Sequence, residues 1–316
     1  IFAQDANPIK WGVPLGTDST EYETTILQDE TADGGTLRLR TDEVDFSSML
    51  FGIDARSGKH QVSFSTNTAD EESMSISGSY YDDYANPSRT SDFDDQSLTY
   101  TYSLTDQWKL SFGYNTLTID KGWANSYDRT NTFVAGNAAD TWTVTSLQSI
   151  STERSGATAL ISYVQPFGES GKWIAVTRFG FTAQDYEASG TGSQKVSGVD
   201  AASEACWNGT TCNLGGASYQ MNGDGYNDTY TTSGDNASGV FGISLIYVLD
   251  NPRHTLNFDF TTRTNDYGDL KNSDTSVPLN GFFTGGQGTE TFDSNNDDEI
   301  EETVWAFTVK WRYGLN

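Results

Sequence analysis

The sequence has no long hydrophobic run, and this absence excludes one class of membrane protein. No segment of its 316 residues approaches the roughly 18–20 consecutive apolar residues that a membrane-spanning helix needs. Hydrophobic residues make up 35% of the chain and the mean hydropathy is -0.54, values that by themselves are typical of a soluble protein. A β-barrel agrees with these values as well, because only every second residue of a transmembrane strand meets lipid.

Basic residues are also scarce. The chain has 18 Lys and Arg against 44 Asp and Glu, a formal net charge of -26. Nucleic-acid binding depends on Lys and Arg that neutralise phosphates, so this composition excludes a nucleic-acid partner. It suits divalent cations or a high-salt exterior better.

Cysteine and histidine are too few for a zinc site. The two cysteines, Cys206 and Cys212, lie close together, whereas the two histidines, His60 and His254, lie far from them in the sequence. The spacing of the cysteines favours a small disulfide loop in an oxidising compartment over two free thiols.

Alternation of apolar and polar residues is what the chain has in abundance. In residues 241–249 every second side chain is large and apolar, from Phe241 to Leu249. A turn over Asp250–Arg253 follows, and the alternation then resumes over residues 254–263. This pattern predicts a β-hairpin with a short connection.

The same hairpin design recurs along the chain. Further tight turns are predicted at 56–59, 105–107 and 165–171. Between the hairpins lie long polar stretches that are rich in Asp, Asn, Gly, Ser and Thr, near 70–95, 121–140, 187–237 and 267–301. Loops of this length are uncommon inside compact soluble domains, whereas short periplasmic turns and long external loops are typical of outer-membrane barrels.

The number of tight turns, and their alternation with long connections, predicts the number of strands. If the tight turns and both termini share the periplasmic side, the whole chain is one closed, all-β, up-and-down antiparallel barrel of about ten strands, with twelve as the alternative. Residues 1–17 are then a periplasmic N-terminal segment. The first strand is predicted within 18–30 and the second over Thr36–Asp54.

The closing segment carries a family resemblance. Residues 305–315 place large apolar side chains on one face, Trp305, Phe307, Val309, Trp311, Tyr313 and Leu315. This strand resembles the C-terminal assembly signal of Gram-negative outer-membrane β-barrel proteins. The resemblance implies a bacterial outer-membrane location, contacts with outer-membrane lipid or lipopolysaccharide, handling by the barrel-assembly machinery, and a monomer as the default state.

The opposite strand faces are charged. If the aromatic faces meet lipid, the lumen is lined by Asp54 and by the predicted lumen-lining set Lys109, Arg178, Asp259, Arg263, Lys310 and Arg312. One interpretation is a pore whose basic wall favours anions. The other is a narrow barrel that internal ion pairs close, because barrels of about eight strands have little free bore.

Two acidic clusters lie in the predicted loops and indicate calcium as the one cofactor to consider. Their candidate ligands are Asp224, Asp228, Asp293, Asn295 and Asp297. Calcium binds six to eight such oxygens in a flexible ring. Solvated acidic loops, or divalent bridging to anionic surface lipid, are the alternatives.

These features favour a passive role, either a narrow diffusion channel or a structural and surface-interaction barrel. A secreted all-β protein that binds glycans is the contrasting hypothesis. Enzymatic activity is not expected, because His60 and His254 both lie beside predicted periplasmic turns. Omptin-like proteases use Asp and His residues near the external rim, and here that rim lacks a histidine to act as general base.

Overall fold

The computed structural model describes residues 8–28, 38–69, 74–78, 88–131, 140–168, 171–197, 223–278, 290–295 and 299–315. All regular structure in these ranges is β-strand. The strands are β1 (Lys10–Gln28), β2 (Arg38–Ser57), β3 (His60–Ala69), β4 (Met74–Gly78), β5 (Ser88–Ser103), β6 (Trp108–Asn131), β7 (Asp140–Phe167), β8 (Trp173–Ser197), β9 (Gly223–Val248), β10 (His254–Pro278), β11 (Glu290–Asn295) and β12 (Glu299–Gly314).

These segments form one closed antiparallel sheet. Most strands pair with their neighbours in sequence, β5 pairs with β3, and β1 closes the sheet by pairing with both β2 and β12. β3 and β4 follow one another along β2, and β11 and β12 follow one another along β10. The twelve segments are therefore ten barrel strands, which confirms the predicted barrel and its strand number.

Four tight turns lie at one end of the barrel, which we call the turn end. They connect β2 to β3, β5 to β6, β7 to β8 and β9 to β10, at the positions that the sequence predicts. Gly58, Gly168 and Gly171 adopt positive φ angles there, a conformation that glycine adopts without steric cost. In another turn the Thr105 hydroxyl accepts hydrogen bonds from the backbone N–H groups of Gln107 and Trp108 at 3.2 and 2.9 Å.

An ion pair joins two of these turns. The ammonium of Lys172 donates to the carboxylate of Asp250 across the β8–β9 pair. This bond raises the pKa of Lys172 and lowers the pKa of Asp250, in both cases because the hydrogen bond and the opposite charge favour the ionised forms.

The strands are longer than the sequence predicts. β1 begins at Lys10, so the predicted N-terminal segment 1–17 is partly strand. The connections are also shorter than the predicted loops, because β6 continues to Asn131, β8 to Ser197 and β10 to Pro278. Polar residues continue these strands because backbone pairing between neighbours needs no apolar side chain. Loop composition alone therefore misplaced the strand ends.

The outer face of the turn-end half is an apolar belt. Its most exposed side chains include Met49 and Phe181, each 74% exposed, and Phe112 at 54%. Aromatic pairs lie where the belt meets the turns, such as Trp108 with Tyr163 and Trp173 with Tyr247. This arrangement is what amphipathic rings at a lipid–water interface produce. Within the described ranges, no helix is long and apolar enough to cross a membrane.

Above the belt, towards the end opposite the turns, the polarity of the two strand faces is reversed. The apolar residues Val44 and Phe46 of β2 are buried in the barrel, and the acidic residues Glu43 and Asp45, which alternate with them, are exposed. In this described part of β2, apolar side chains therefore lie inside the barrel and carboxylates lie outside it, as in a water-soluble barrel.

Candidate functional site

The barrel interior is the candidate site, and its lowest level is a layer of ion pairs. The guanidinium of Arg312 donates to both carboxylate oxygens of Asp54, at 2.7 and 2.5 Å. This contact depends on Gly12 of β1, where any side chain would collide with the guanidinium. Next to it, Asp259 accepts from Lys310 at 2.8 Å and from Arg178 at 3.4 Å. We call these five charged residues the ion-pair layer.

Bases outnumber acids at this level. Lys109 lies at the turn end of β6, and its charged neighbours Arg56 and Arg178 are also basic. Two carboxylates, Asp54 and Asp259, therefore face a larger number of cations. The turn-end entrance keeps a positive charge, although the ion pairs cross the bore.

A polar cavity of about 330 Å³ lies above the ion-pair layer. Its wall includes two carboxylates, Asp18 and Asp95, and two bases, Arg263 and Lys310. Asp18 is held by Thr20, whose hydroxyl donates to it at 2.5 Å, and by Thr308 of the neighbouring strand. The cavity has room for several water molecules or one small solute.

An apolar cluster lies in the barrel interior above this cavity. We call it the plug, and its members are each at most 5% exposed: Tyr22, Val44, Phe46, Phe93, Leu117, Ile119 and Val304. Phe46 and Phe93 lie with ring centroids 3.8 Å apart, and Tyr22 stacks on Phe46 at 5.8 Å. A dry contact of this kind excludes water from the level of the barrel that it fills.

A buried polar network lies beside the plug. Arg154 of β7 forms an ion pair with Glu302 of β12 across the interior, and their side chains are 4% and 0% exposed. The second oxygen of Glu302 accepts from the amide of Asn265 at 2.8 Å, and Asn265 in turn accepts from Ser238 at 2.7 Å. The Arg154 guanidinium also lies 5.1 Å from the centre of the Tyr22 ring. This cation–π contact joins the network to the plug.

The structure places all six predicted lumen residues on the inner face of the barrel. It brings Arg178, Asp259 and Lys310 into contact and pairs Arg312 with Asp54, whereas Arg263 lines the cavity. The network of Arg154, Glu302 and Asn265 was missed by the sequence interpretation. Asn265 and Glu302 lie at the margins of predicted loops and Arg154 lies outside them, and the pairing of all three depends on the register of distant strands.

The predicted calcium ligands lie elsewhere. Asp224 and Asp228 belong to β9, and Asp293 and Asn295 belong to β11. Their backbone is extended, so these four residues lie in strands and not in loops as predicted. Asp297, Cys206 and Cys212 lie outside the described residues, so calcium binding and the disulfide stay predictions. In the described part of the chain, no group of three or more metal-ligating side chains is assembled.

Both histidines lie at the turn end. His60 hydrogen-bonds through Nδ1 to the Tyr100 hydroxyl at 2.7 Å. His254 stacks on Trp311 with ring centroids 5.4 Å apart. They are therefore members of the aromatic border of the belt and lie away from the plug and the far end.

The outer surface opposite the turns has a second feature, which we call the acidic collar. It is a set of outward carboxylates just above the apolar belt, and many of them lie directly opposite one another on adjacent strands. The opposed pairs are Glu21–Asp45, Glu23–Glu43, Asp92–Asp120, Glu153–Glu187 and Asp185–Asp235. Among the side chains that the structure describes, no Lys or Arg faces outward at this level.

Comparison with solved structures supports the fold. The outer-membrane protease OmpT from Escherichia coli is similar over 99% of both chains, with a TM-score of 0.52 and 8% sequence identity. The translocator domain of the autotransporter NalP from Neisseria meningitidis is similar over 95% of this chain and 88% of that one, with a TM-score of 0.43 and 9% identity. The outer-membrane protein OprG from Pseudomonas aeruginosa matches over 95% and 96% of the two chains, with a TM-score of 0.32 and 10% identity.

At the level of sequence, no protein-family model and no curated protein matches the chain. The fold is that of outer-membrane β-barrel proteins. Identities this low say nothing about activity.

Proposed function

We propose that this chain is a Gram-negative outer-membrane barrel whose bore is closed, and that it acts through its outer surface rather than as an open diffusion channel. The observation that carries the proposal is the plug together with the buried Arg154–Glu302 network, which contact each other in the interior. An apolar constriction stops ions because water leaves it. The apolar belt and its aromatic border support a membrane location.

Conductance in a planar bilayer tests the closed bore. We expect the native barrel to give no current steps, because hydrated ions cannot cross the plug. The double variant Phe46→Ala/Phe93→Ala removes the two rings that contact each other at 3.8 Å, and we expect it to open a small, steady conductance. Phe179→Ala/Phe181→Ala removes two outward rings of the belt and is the matched control, for which silence is expected.

Stepwise current from the native protein would favour the other candidate, a narrow diffusion channel. The polar cavity and the excess of bases at the turn-end entrance support that candidate, since the cavity has room for a small solute and the bases would select small anions. Each sample is first checked for a folded barrel, which migrates faster on SDS gels before heating than after. A silent double variant that passes this check would show that the plug is not the closure.

Proteolysis is the activity that likeness to OmpT raises, and we do not propose it. The two histidines belong to the turn-end aromatic border, where they cannot serve a site at the opposite rim. Incubation of the folded barrel with a peptide library is expected to leave every peptide intact. Cleavage abolished by heating the barrel would contradict this.

A further inference from the structure

One sector of the apolar belt contains a groove between its large apolar side chains. It spans the outer face of β6 to β10 and has a volume of about 690 Å³. Ala159 and Gly239 form part of its floor, and Phe181 stands between them because both pair with it across adjacent strands. Phe112 and Phe241 line its sides.

A second cavity continues the groove towards the acidic collar. Its floor is a row of three alanines, Ala157, Ala183 and Ala237, which are direct neighbours on β7, β8 and β9. Its volume is about 570 Å³, and its lining includes Asp185 and Asp235. The path therefore changes from apolar to anionic at the level where the belt ends.

The two aspartates form one of the opposed carboxylate pairs of the collar. Asp185 and Asp235 are register partners on β8 and β9, and both are exposed. Like charges directly opposite one another destabilise a sheet. A cation placed between them at the top of the groove would relieve that repulsion.

We infer that this groove binds a membrane lipid that carries an ammonium headgroup, with an acyl chain between the phenylalanines and the ammonium at Asp185 and Asp235. The shape and apolarity of the lower part fit hydrocarbon, and the charge of the upper part fits a cation. A headgroup with only anionic groups would be repelled by the aspartates. A second copy of the chain is disfavoured, because a symmetric contact would bring two acidic collars together.

Native mass spectrometry tests the inference on the full-length barrel in nanodiscs. The bilayer contains equimolar phosphatidylethanolamine and phosphatidylglycerol with the same acyl chains. We expect the released native protein to retain phosphatidylethanolamine with an enrichment of about two- to fivefold, the ratio that an exposed ion pair produces. Equal retention of the two lipids would overturn the inference.

Two variants separate the parts of the site. Asp185→Asn/Asp235→Asn should bring the ratio of the two lipids close to one while lipid is still retained. Ala183→Phe fills the alanine row and should reduce the number of retained lipids of both kinds. If the enrichment survives the loss of both aspartates, the ammonium assignment is wrong.

The matched control lies on the other side of the barrel. Glu21 and Asp45 are an opposed pair of the same kind on β1 and β2, and the next pair below them is Ser19–Ser47. Glu21→Gln/Asp45→Asn should leave lipid retention unchanged. If the control variant loses the phosphatidylethanolamine enrichment to the same extent, the whole collar and not the groove attracts the ammonium. A protein dimer in the spectrum would show that a second copy of the chain covers the groove. The outcome is independent of whether the bore conducts.

Discussion

Single charged residues hold the buried polar network of the barrel interior together. Glu302 is the clearest example, because its two oxygens serve different partners: Arg154 on one side and Asn265 on the other. A buried carboxylate with two such contacts is stable only while both partners are present. The alternation of β12 places residue 302 on the inner face, but the partners on β7 and β10 follow only from the closed sheet.

Glu302→Gln tests this residue. The change keeps the size of the side chain and removes the charge that balances Arg154 in a buried place, so we expect a loss of about 3 kcal/mol in the free energy of unfolding. The urea midpoint of the loss of the fast-migrating band on unheated SDS gels measures it. Glu153→Gln on the neighbouring outer face is the control, and we expect it to be neutral or slightly stabilising because Glu153 opposes Glu187. Equal losses in the two variants would contradict the prediction.

At the scale of the strand, it matters whether the apolar residues occupy the odd or the even positions, because this decides which face of the barrel is apolar. In β2 the apolar residues occupy odd positions at Met49 and Phe51, which face outward, and even positions at Val44 and Phe46, which face inward. β6 changes phase in the same way between Tyr114 and Leu117. Because successive side chains of a strand point to opposite faces, such a change marks the level where lipid outside gives way to water.

The tight turns are the elements whose chemistry is most local. Gly58 connects β2 to β3 with a φ of 57°, and a side chain in that conformation costs about 1 kcal/mol. We expect Gly58→Ala to lower the free energy of unfolding by about that amount, measured by the same urea midpoint.

The matched control for this turn is Gly239→Ala within β9, where an added Cβ meets nothing within 4 Å. We expect this substitution to be neutral or slightly stabilising, because glycine in a strand interior is less favourable than alanine. A Gly58→Ala barrel as stable as the native one would show that this turn tolerates a side chain.

At the scale of the whole molecule, the charged and the apolar outer surfaces lie at different levels along the barrel axis. The apolar belt surrounds the turn-end half, and the acidic collar surrounds the barrel above it. Much of the net charge of -26 is therefore held on strands as well as in connections. The opposed carboxylates repel one another, and this repulsion is reduced by dissolved salt.

We therefore expect the barrel to become more stable as salt rises from about 0.01 M to about 0.5 M sodium chloride, because exposed charges are screened over a Debye length while the buried ion pairs are screened much less. The urea midpoint at each salt concentration measures the effect. The variant Glu21→Gln/Glu153→Gln breaks two of the opposed pairs and should show a smaller salt dependence. A native barrel that salt destabilises would show that the ion pairs of the interior outweigh the collar.

Sequence alone determined the class of fold. The alternation of apolar and polar residues, the tight turns and the shortage of long apolar runs each depend only on residues that are close together in the chain. The turns at 56–59, 105–107, 165–171 and 250–253 could be predicted since their residues favour reversal wherever they occur. The faces of Asp259, Lys310 and Arg312 followed from the strand period in the same way. The strand ends could not be predicted, because polar strands above the belt have the composition of loops.

Only the tertiary structure decided what the interior and the outer surface can do. The ion pair of Arg154 with Glu302 joins residues 148 positions apart, and the opposed carboxylates of the collar exist only in one register of the sheet. Whether an inward base lines an open pore or meets a carboxylate depends on the number of strands and on how far each is displaced along its neighbour. That displacement is a property of the closed barrel, so no single strand of the sequence contains it.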